Sequence, residues 1–190
     1  MRCFIALSLS TELKKKALAL QEELKKSQAD LKWVEEENFH LTLKFFADCP
    51  EETVVKLKSL IRQVGREFAQ FEVELYGLAA APDLFSPKVL WIPVRKGGEM
   101  IKDIFEFLEN HLLLLGFPRE KRPFLSHLTL GRVRSSSHLD DLKQKIKSLN
   151  EIHLGKEVIS SIQLVRSILT KSGPVYSVIS EAKLKLGDVA

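Results

Sequence analysis

Cysteine is scarce in this chain of 190 residues, in which Cys3 and Cys49 are the only two. Two cysteines are too few for a disulfide framework, and without a C-x-x-C spacing they form no zinc or redox motif. No apolar run approaches the roughly 20 residues that cross a bilayer; the longest run of leucines covers residues 112–115. We therefore expect a cytoplasmic protein that works in a reducing compartment and away from membranes.

The motifs of several large enzyme classes are also absent. Gly97-Gly98 is a turn and belongs to no Walker or dinucleotide-binding fingerprint, and no serine-nucleophile elbow occurs. The composition is that of an ordinary globular protein, 45% hydrophobic and 28% charged. A chain of this size and composition buries a substantial core, which excludes the disordered and disulfide-scaffold classes.

Positive charge is concentrated in one segment of the chain. The formal net charge is +4, and residues 119–134 alone hold five lysines and arginines against the single acid Glu120. A localised basic patch suits a phosphate-bearing ligand, although solvated basic surface is also common.

The tetrapeptide His-Leu-Thr-Leu occurs twice, at residues 40–43 and 127–130. Each copy lies in a predicted strand, and both fall in the same order of elements: strand, amphipathic helix, connector, motif strand, helix, strand. The repeat predicts an α+β fold with two similar halves, in which two mainly antiparallel sheets flank a central cleft and helices lie outside. We expect one bilobal domain over residues 1–190.

Three local predictions concern the connections between these elements. Residues 79–88, with two prolines, are predicted to be a linker, and Ser135-Ser136-Ser137 is predicted to cap the following helix. Residues 158–169 and 175–179 are predicted to form a closing hairpin.

Strand alternation places the polar residues of both tetrapeptides on one face. His40 and Thr42 point away from the leucines between and after them, and the same holds for His127 and Thr129. If the two halves pack as mates, two imidazoles and two hydroxyls meet in one groove. That set suits a phosphodiester: one histidine takes a proton from water, the other gives one to the leaving oxygen, and the hydroxyls hold phosphate oxygens. The residues alone leave open which histidine is the acid.

A single strand histidine is usually a packing residue, but the repetition favours a functional one. Duplication of structure alone would repeat the leucines and gives no reason to repeat a polar face. The other three histidines, His111, His138 and His153, are assigned to structure. Each motif supplies one good metal ligand with no Cys or carboxylate nearby, so no metal site and no cofactor are predicted.

Beyond the paired motifs, the sequence resembles the two-histidine (2H) phosphoesterases over nearly its whole length. Within them it is similar to the bacterial and archaeal RNA 2′,3′-cyclic phosphodiesterases, first described as 2′-5′ RNA ligases. The likeness includes Trp33-Val34, Arg122-Pro123-Phe124 and Gly173-Pro174-Val175-Tyr176. It implies hydrolysis of a ribose 2′,3′-cyclic phosphate at an RNA end to a 2′-phosphate.

The resemblance also implies roles for individual residues. His40 matches the proton donor to the leaving 3′-oxygen, His127 the base that activates water, and Thr42 and Thr129 the ligands of phosphate oxygens. Arg132, directly after the second motif, matches an arginine near the phosphate.

Phe46 is a further candidate for substrate binding, since alternation places it on the His40 face, where its ring can stack on a terminal base. The expected partners are RNA 3′ ends or small cyclic nucleotides, and the protein is expected to be a monomer. Two alternatives remain open: 2′-5′ ligation or 2′-5′ oligonucleotide cleavage in the same cleft, and a nucleotide-binding module without catalysis.

Overall fold

The computed structural model describes residues 1–171 and 173–187, and in them the chain forms four helices and ten strands. The helices are α1 (Thr11–Lys25), α2 (Glu51–Glu67), α3 (Gly98–Leu114) and α4 (Leu139–Ser148). The strands are β1 (Cys3–Ser8), β2 (Leu31–Trp33), β3 (His40–Phe46), β4 (Phe71–Tyr76), β5 (Ala79–Ala81), β6 (Val89–Lys96), β7 (His127–Val133), β8 (His153–Ile159), β9 (Ser161–Leu169) and β10 (Pro174–Lys183). A short 3-10 turn, Glu36–Asn38, precedes β3.

The strands form one connected sheet in the order β10-β9-β1-β3-β7-β6-β4-β8, with β2 added to β7 and β5 to β6. Every pairing between these strands is antiparallel. The two halves meet at β3 and β7, where the register contains the single pair Leu41–Leu128. The predicted α+β class with two antiparallel half-sheets is confirmed, and the half-sheets join edge to edge between the two motifs.

Each half-sheet includes strands from the other half of the chain. Strand β4 follows α2 in the first half, yet it lies between β6 and β8; strand β9 comes from the second half and pairs with β1. Outward from the junction, the order β3-β1-β9-β10 mirrors β7-β6-β4-β8. The two similar halves of the sequence therefore exchange strands.

One hydrophobic core extends beneath both halves. Buried apolar side chains from all four helices and from both half-sheets form a single contact cluster. Helix α1 begins where the Ser10 hydroxyl accepts the N–H of Leu13 at 3.2 Å, and α3 ends before Gly116, which has the positive φ of 87° that favours glycine. In the described residues, no helix combines the length and the apolar character needed to cross a membrane.

Two local predictions were wrong, and the third, the closing hairpin, was confirmed in its pairing of β9 with β10 but was wrong in the bounds of its first strand. The predicted linker contains a strand, Ala79–Ala81, that pairs with β6. The segment predicted as one strand over residues 158–169 is split at Ser160, because β8 pairs with β4 while β9 pairs with β1 on the other half-sheet. Helix α4 has His138 at its N-cap with no side-chain cap, so the predicted serine cap is not used.

Candidate active site

The pairing of β3 with β7 brings the two tetrapeptides together. Leu41 lies opposite Leu128, and in an antiparallel pair the residues on either side of such a pair project from the other face of the sheet. The His and Thr of both motifs therefore share one face. Both leucines are buried, whereas the four polar side chains are at least partly exposed.

Strand β3 contains a bulge directly after its motif threonine. Thr42 and Lys44 pair with consecutive residues of β1, so Leu43 is the extra residue. Leu43 and Lys44 are both buried, and beyond them the open face passes to Phe45. A bulge shifts the alternation of a strand by one residue, and it does so here between the motif and the end of β3.

This bulge makes the prediction for Phe46 wrong. Phe46 is 3% exposed and packs edge to face on Phe117, with ring centroids 5.0 Å apart. Phe45, which is 45% exposed and has the Arg2 guanidinium 5.0 Å from its ring centroid, takes the open-face position that strict alternation gave to Phe46. Phe46 is therefore a core residue and lies away from the cleft.

Strand β7 contains the matching bulge. Thr129 and Gly131 pair with consecutive residues of β6, leaving Leu130 as the extra residue. Leu130 and Gly131 are buried, and Arg132 returns to the open face. The bulge is thus the reason that Arg132, five residues after His127, shares a face with that histidine.

Helix α1 and the end of β2 hold the second bulge. The backbone N–H of Val34 and the side-chain amide of Gln21, which is 1% exposed, donate to the carbonyl of Leu130 at 2.9 and 2.7 Å. A Cβ on Gly131 would lie 3.2 Å from Cε3 of Trp33, so glycine is what lets β2 pack this closely. No pattern in the sequence indicates this role of Gln21.

A cleft of about 500 Å³ opens on this face. Its lining includes four of the predicted site residues, His40, Thr42, Thr129 and Arg132. The remaining wall comes from residues 32–35, from Glu37 and Asn38 in the turn before β3, and from residues 173–176 at the start of β10. His127 is on the same face but is not part of this lining.

The two histidines are held in the same way. Nδ1 of His40 lies 2.6 Å from the carbonyl oxygen of Asn38, and Nδ1 of His127 lies 2.8 Å from that of Leu125. Because a carbonyl only accepts, each Nδ1 carries a hydrogen, and in the neutral ring Nε2 is the basic nitrogen. In residues 1–171 and 173–187, neither Nε2 has a hydrogen-bond partner. Each ring can therefore exchange one proton at Nε2.

His40 lies in an aromatic pocket. Its ring stacks on Phe4 with centroids 4.6 Å apart and meets Tyr176 edge to face at 5.7 Å. Burial lowers the pKa of His40 to about 4, against the opposing effect of the Asn38 carbonyl; the charge of Lys14, and that of the His127 ring whenever it is protonated, lower this pKa further. The imidazole of His40 is therefore neutral at pH 7 in the free protein.

His127 has a simpler environment, in which its ring meets Trp91 edge to face at 4.9 Å. To identify Phe4 and Trp91 from the sequence, one would need to know which strands pair with the two motif strands. Each aromatic ring lies on the strand that neighbours a motif strand, and its strand position alone does not reveal that pairing.

The basic segment predicted from the sequence is divided by the fold. Arg119 forms an ion pair with Glu106 at 3.3 Å, whereas Arg132 lines the cleft. Arg134 lines a smaller neighbouring pocket. Only part of this segment therefore presents charge to the cleft, which gains another cation from Lys32.

Comparisons with known proteins agree with the duplicated architecture. A family model described as LigT like Phosphoesterase matches twice, over residues 7–91 and 92–176, so that each match contains one tetrapeptide. The RNA 2′,3′-cyclic phosphodiesterase of Methanothermobacter thermautotrophicus is 33% identical over 176 residues, covering 93% of this chain and 95% of that protein. The protein of the same name from Aeropyrum pernix is 32% identical over 164 residues, covering 86% and 92%. The crystal structure of TT0787 of Thermus thermophilus superposes with a TM-score of 0.83 at 25% identity, covering 98% and 99% of the two chains.

Proposed function

The chain belongs to the LigT-like phosphoesterase family, and we propose that it hydrolyses the 2′,3′-cyclic phosphate at an RNA end to a 2′-phosphate. The observation that carries this proposal is the pair of histidines on one face, each with Nδ1 fixed by a carbonyl and Nε2 unengaged within the described residues. Binding alone requires no such pair, whereas hydrolysis of a cyclic phosphodiester requires one proton to be removed and another to be delivered.

In the proposed reaction, a water molecule attacks phosphorus while the bond from phosphorus to the 3′-oxygen breaks. Nε2 of His127 takes a proton from the water, and protonated Nε2 of His40 gives a proton to the 3′-oxygen. The product is a 3′-hydroxyl with a 2′-phosphate, and both histidines return to their starting states after proton exchange with solvent. General acid and general base each contribute about 10²–10⁴-fold to the rate of such a step.

Because His40 is neutral in the free protein, its protonation depends on the bound substrate. In the free protein its pKa of about 4 keeps the ring neutral, but a cyclic phosphate carries a negative charge that favours the imidazolium. A return to the ordinary pKa of about 6.5 corresponds to roughly 3 kcal/mol. Two opposite charges 4 Å apart interact by about 4 kcal/mol at the effective dielectric constant of a protein surface. The substrate can therefore supply the charge that loads its own proton donor.

Three further side chains are proposed to hold the phosphate. The hydroxyls of Thr42 and Thr129 share the face of the histidines and can donate to the non-bridging oxygens. Arg132 lines the same cleft, and its guanidinium can stabilise the charge that develops in the transition state.

The test is to incubate the protein with adenosine 2′,3′-cyclic phosphate in excess chelator and to identify the product by phosphorus NMR. We expect adenosine 2′-phosphate, and we expect His40→Ala and His127→Ala each to lower kcat by about 10²–10⁴-fold. The control variant is His138→Ala, because His138 pairs with Asp141 on an exposed helix end outside the cleft. A 3′-phosphate product, full activity in either motif variant, or binding without turnover would contradict the proposal.

A further inference from the structure

A second pocket of about 250 Å³ adjoins the cleft at strand β2. The two cavities share residues 32–35 in their linings, so they are neighbours at this short segment. The second pocket is completed by Arg134 and by residues of helix α1, among them Leu18 and Lys25. It therefore adjoins the cleft and is a candidate subsite for an extended substrate.

Positive charge continues from the cleft into this pocket. Arg132 lines the cleft, Lys32 lies opposite Arg132 in the strand pairing and lines both cavities, and Arg134 lines the second pocket. Within residues 1–171 and 173–187, none of these three side chains has a carboxylate at ion-pair distance. Glu35 is the acid that both linings share, and Lys25 is held by Glu22 at 2.6 Å. Glu37 is a second acid of the cleft lining, so three unpaired cations face two acids along this path, and the positive excess favours an anion.

The second pocket also offers an aromatic surface. Trp33 is half-buried against Gly131 on one side, and Nζ of Lys25 lies 5.9 Å from the centroid of its ring. Stacking of a nucleobase on an aromatic side chain contributes about 1–3 kcal/mol and tolerates any base. An aromatic ring beside unpaired cations is the combination by which proteins bind single-stranded nucleic acid.

We propose that the second pocket binds the nucleotide that precedes the cyclic phosphate in an RNA strand. Arg134 and Lys32 contact the phosphodiester that links the last two nucleotides, and Trp33 contacts the base of the preceding one. The inference rests on the proposed function, since it requires the terminal nucleotide to occupy the cleft. The subsite predicts that the nucleotide before the cyclic phosphate raises kcat/KM above that of a free cyclic mononucleotide.

The experiment compares kcat/KM for two substrates, adenosine 2′,3′-cyclic phosphate and an adenosine trinucleotide ending in a 2′,3′-cyclic phosphate. We expect the wild-type protein to prefer the trinucleotide, and we expect Arg134→Ala to lower the ratio of trinucleotide to mononucleotide kcat/KM on the order of tenfold. For the trinucleotide, the slope of log(kcat/KM) against log salt should become shallower by about 0.7 in this variant, as for one lost phosphate contact.

The matched control is Arg62→Ala, which removes one exposed arginine of α2 that lines neither pocket. Its substrate ratio and salt slope should equal those of the wild type. Equal kcat/KM for both substrates in the wild type, or an unchanged ratio in Arg134→Ala, would overturn the proposed subsite.

Failure of the proposed function gives a different result, in which the wild type hydrolyses neither substrate. The subsite is then judged by fluorescence anisotropy with a labelled adenosine trinucleotide that carries a terminal 2′-phosphate. Weaker binding by Arg134→Ala than by Arg62→Ala supports the subsite, and equal binding by the two variants overturns it.

Discussion

The His40 half and the His127 half of the sheet share their backbone and differ in what surrounds it. In both halves Nδ1 of the histidine lies at the carbonyl two residues earlier, and in both a bulge begins directly after the threonine. His40, however, is enclosed by Phe4 and Tyr176, while the ring of His127 meets a single aromatic ring, that of Trp91, among the residues that the structure describes.

The two halves also differ in the residue that lies five positions after the histidine. The bulges bring Phe45 to the open face in one half and Arg132 in the other, and only Arg132 lines the cleft. One half thus contributes an imidazole that burial keeps neutral, and the other contributes a fixed cation. Equal backbones with unequal surroundings can give two histidines opposite proton-transfer roles, as the proposed reaction requires.

The two bulges are also stabilised by different means, and this difference predicts the largest effect. Lys44, in the first bulge, pairs with Glu109 at 2.8 Å, and Glu109 is 3% exposed. Lys44→Met leaves that carboxylate buried without a counter-charge, so we expect a loss of about 3–5 kcal/mol in the free energy of unfolding. Gly131→Ala, in the second bulge, places a Cβ 3.2 Å from Cε3 of Trp33 and 3.3 Å from the backbone oxygen of Lys32. Both must shift by a few tenths of an ångström, and we expect a loss of about 1–3 kcal/mol. Urea denaturation at pH 7 measures both values.

The control for the first bulge is the double variant Lys44→Met/Glu109→Gln. The glutamine removes the buried charge but still accepts the N–H of Glu120, which Glu109 accepts at 2.6 Å. We expect the double variant to recover most of the loss. A loss below about 1 kcal/mol in Lys44→Met alone would show that the ion pair does not hold this bulge.

Local pattern was sufficient to predict the α+β class, the helices and the two motif strands. The tetrapeptides repeat, the leucines alternate with polar residues, and the apolar residues of the helices recur with helical spacing, so each signal lies within a few residues of the element it predicts. The expected meeting of the two motifs is realised by the pairing of Leu41 with Leu128, a register that the sequence pattern did not specify.

Features that depend on a partner strand were not predictable in this way. A bulge exists only relative to the strand beside it, and the bulge in β3 is why alternation selected Phe46 in place of Phe45. The bulge in β7 likewise places Arg132 on the open face, whereas strict alternation would place it on the core face. Arg132 was identified by the resemblance to a family and not by the residue pattern. The division at Ser160 has the same cause, since β8 and β9 are separated by their partners.

The second prediction compares Arg132 with Phe45, the residues that the two bulges bring to the open face, by their effects on kcat. Arg132→Gln should lower kcat for the cyclic phosphate by about 10²–10³-fold, because the guanidinium is proposed to act on transition-state charge. The matched variant Phe45→Leu changes the equivalent position of the other half, which does not line the cleft, so we expect a change of less than about threefold. Comparable losses in the two variants would mean that the halves contribute equally at this position. An effect of Arg132→Gln on KM alone would assign the residue to substrate binding only.

The third prediction concerns the buried state of His40 and gives the smallest effect. The His40 ring protons in the NMR spectrum of the free protein should titrate with a midpoint near pH 4, because burial between Phe4 and Tyr176 disfavours the imidazolium. Saturating adenosine 2′-phosphate should raise this pKa by about one unit or more, since the bound anion favours the charged ring.

An upward shift of the His40 pKa on binding makes the affinity for phosphate depend on pH. Between the free and the bound pKa of His40, the protein takes up a proton as the phosphate binds, so phosphate affinity should fall as the pH rises through the bound pKa. Phe4→Ala tests the cause, because a ring that is less buried should titrate closer to its ordinary pKa before any ligand is added. If the midpoint in the free wild type already lies near 6.5, the aromatic enclosure does not distinguish the first half from the second. If the midpoint stays near 4 when the phosphate binds, His40 remains neutral at pH 7, and this result contradicts its assignment as the proton donor.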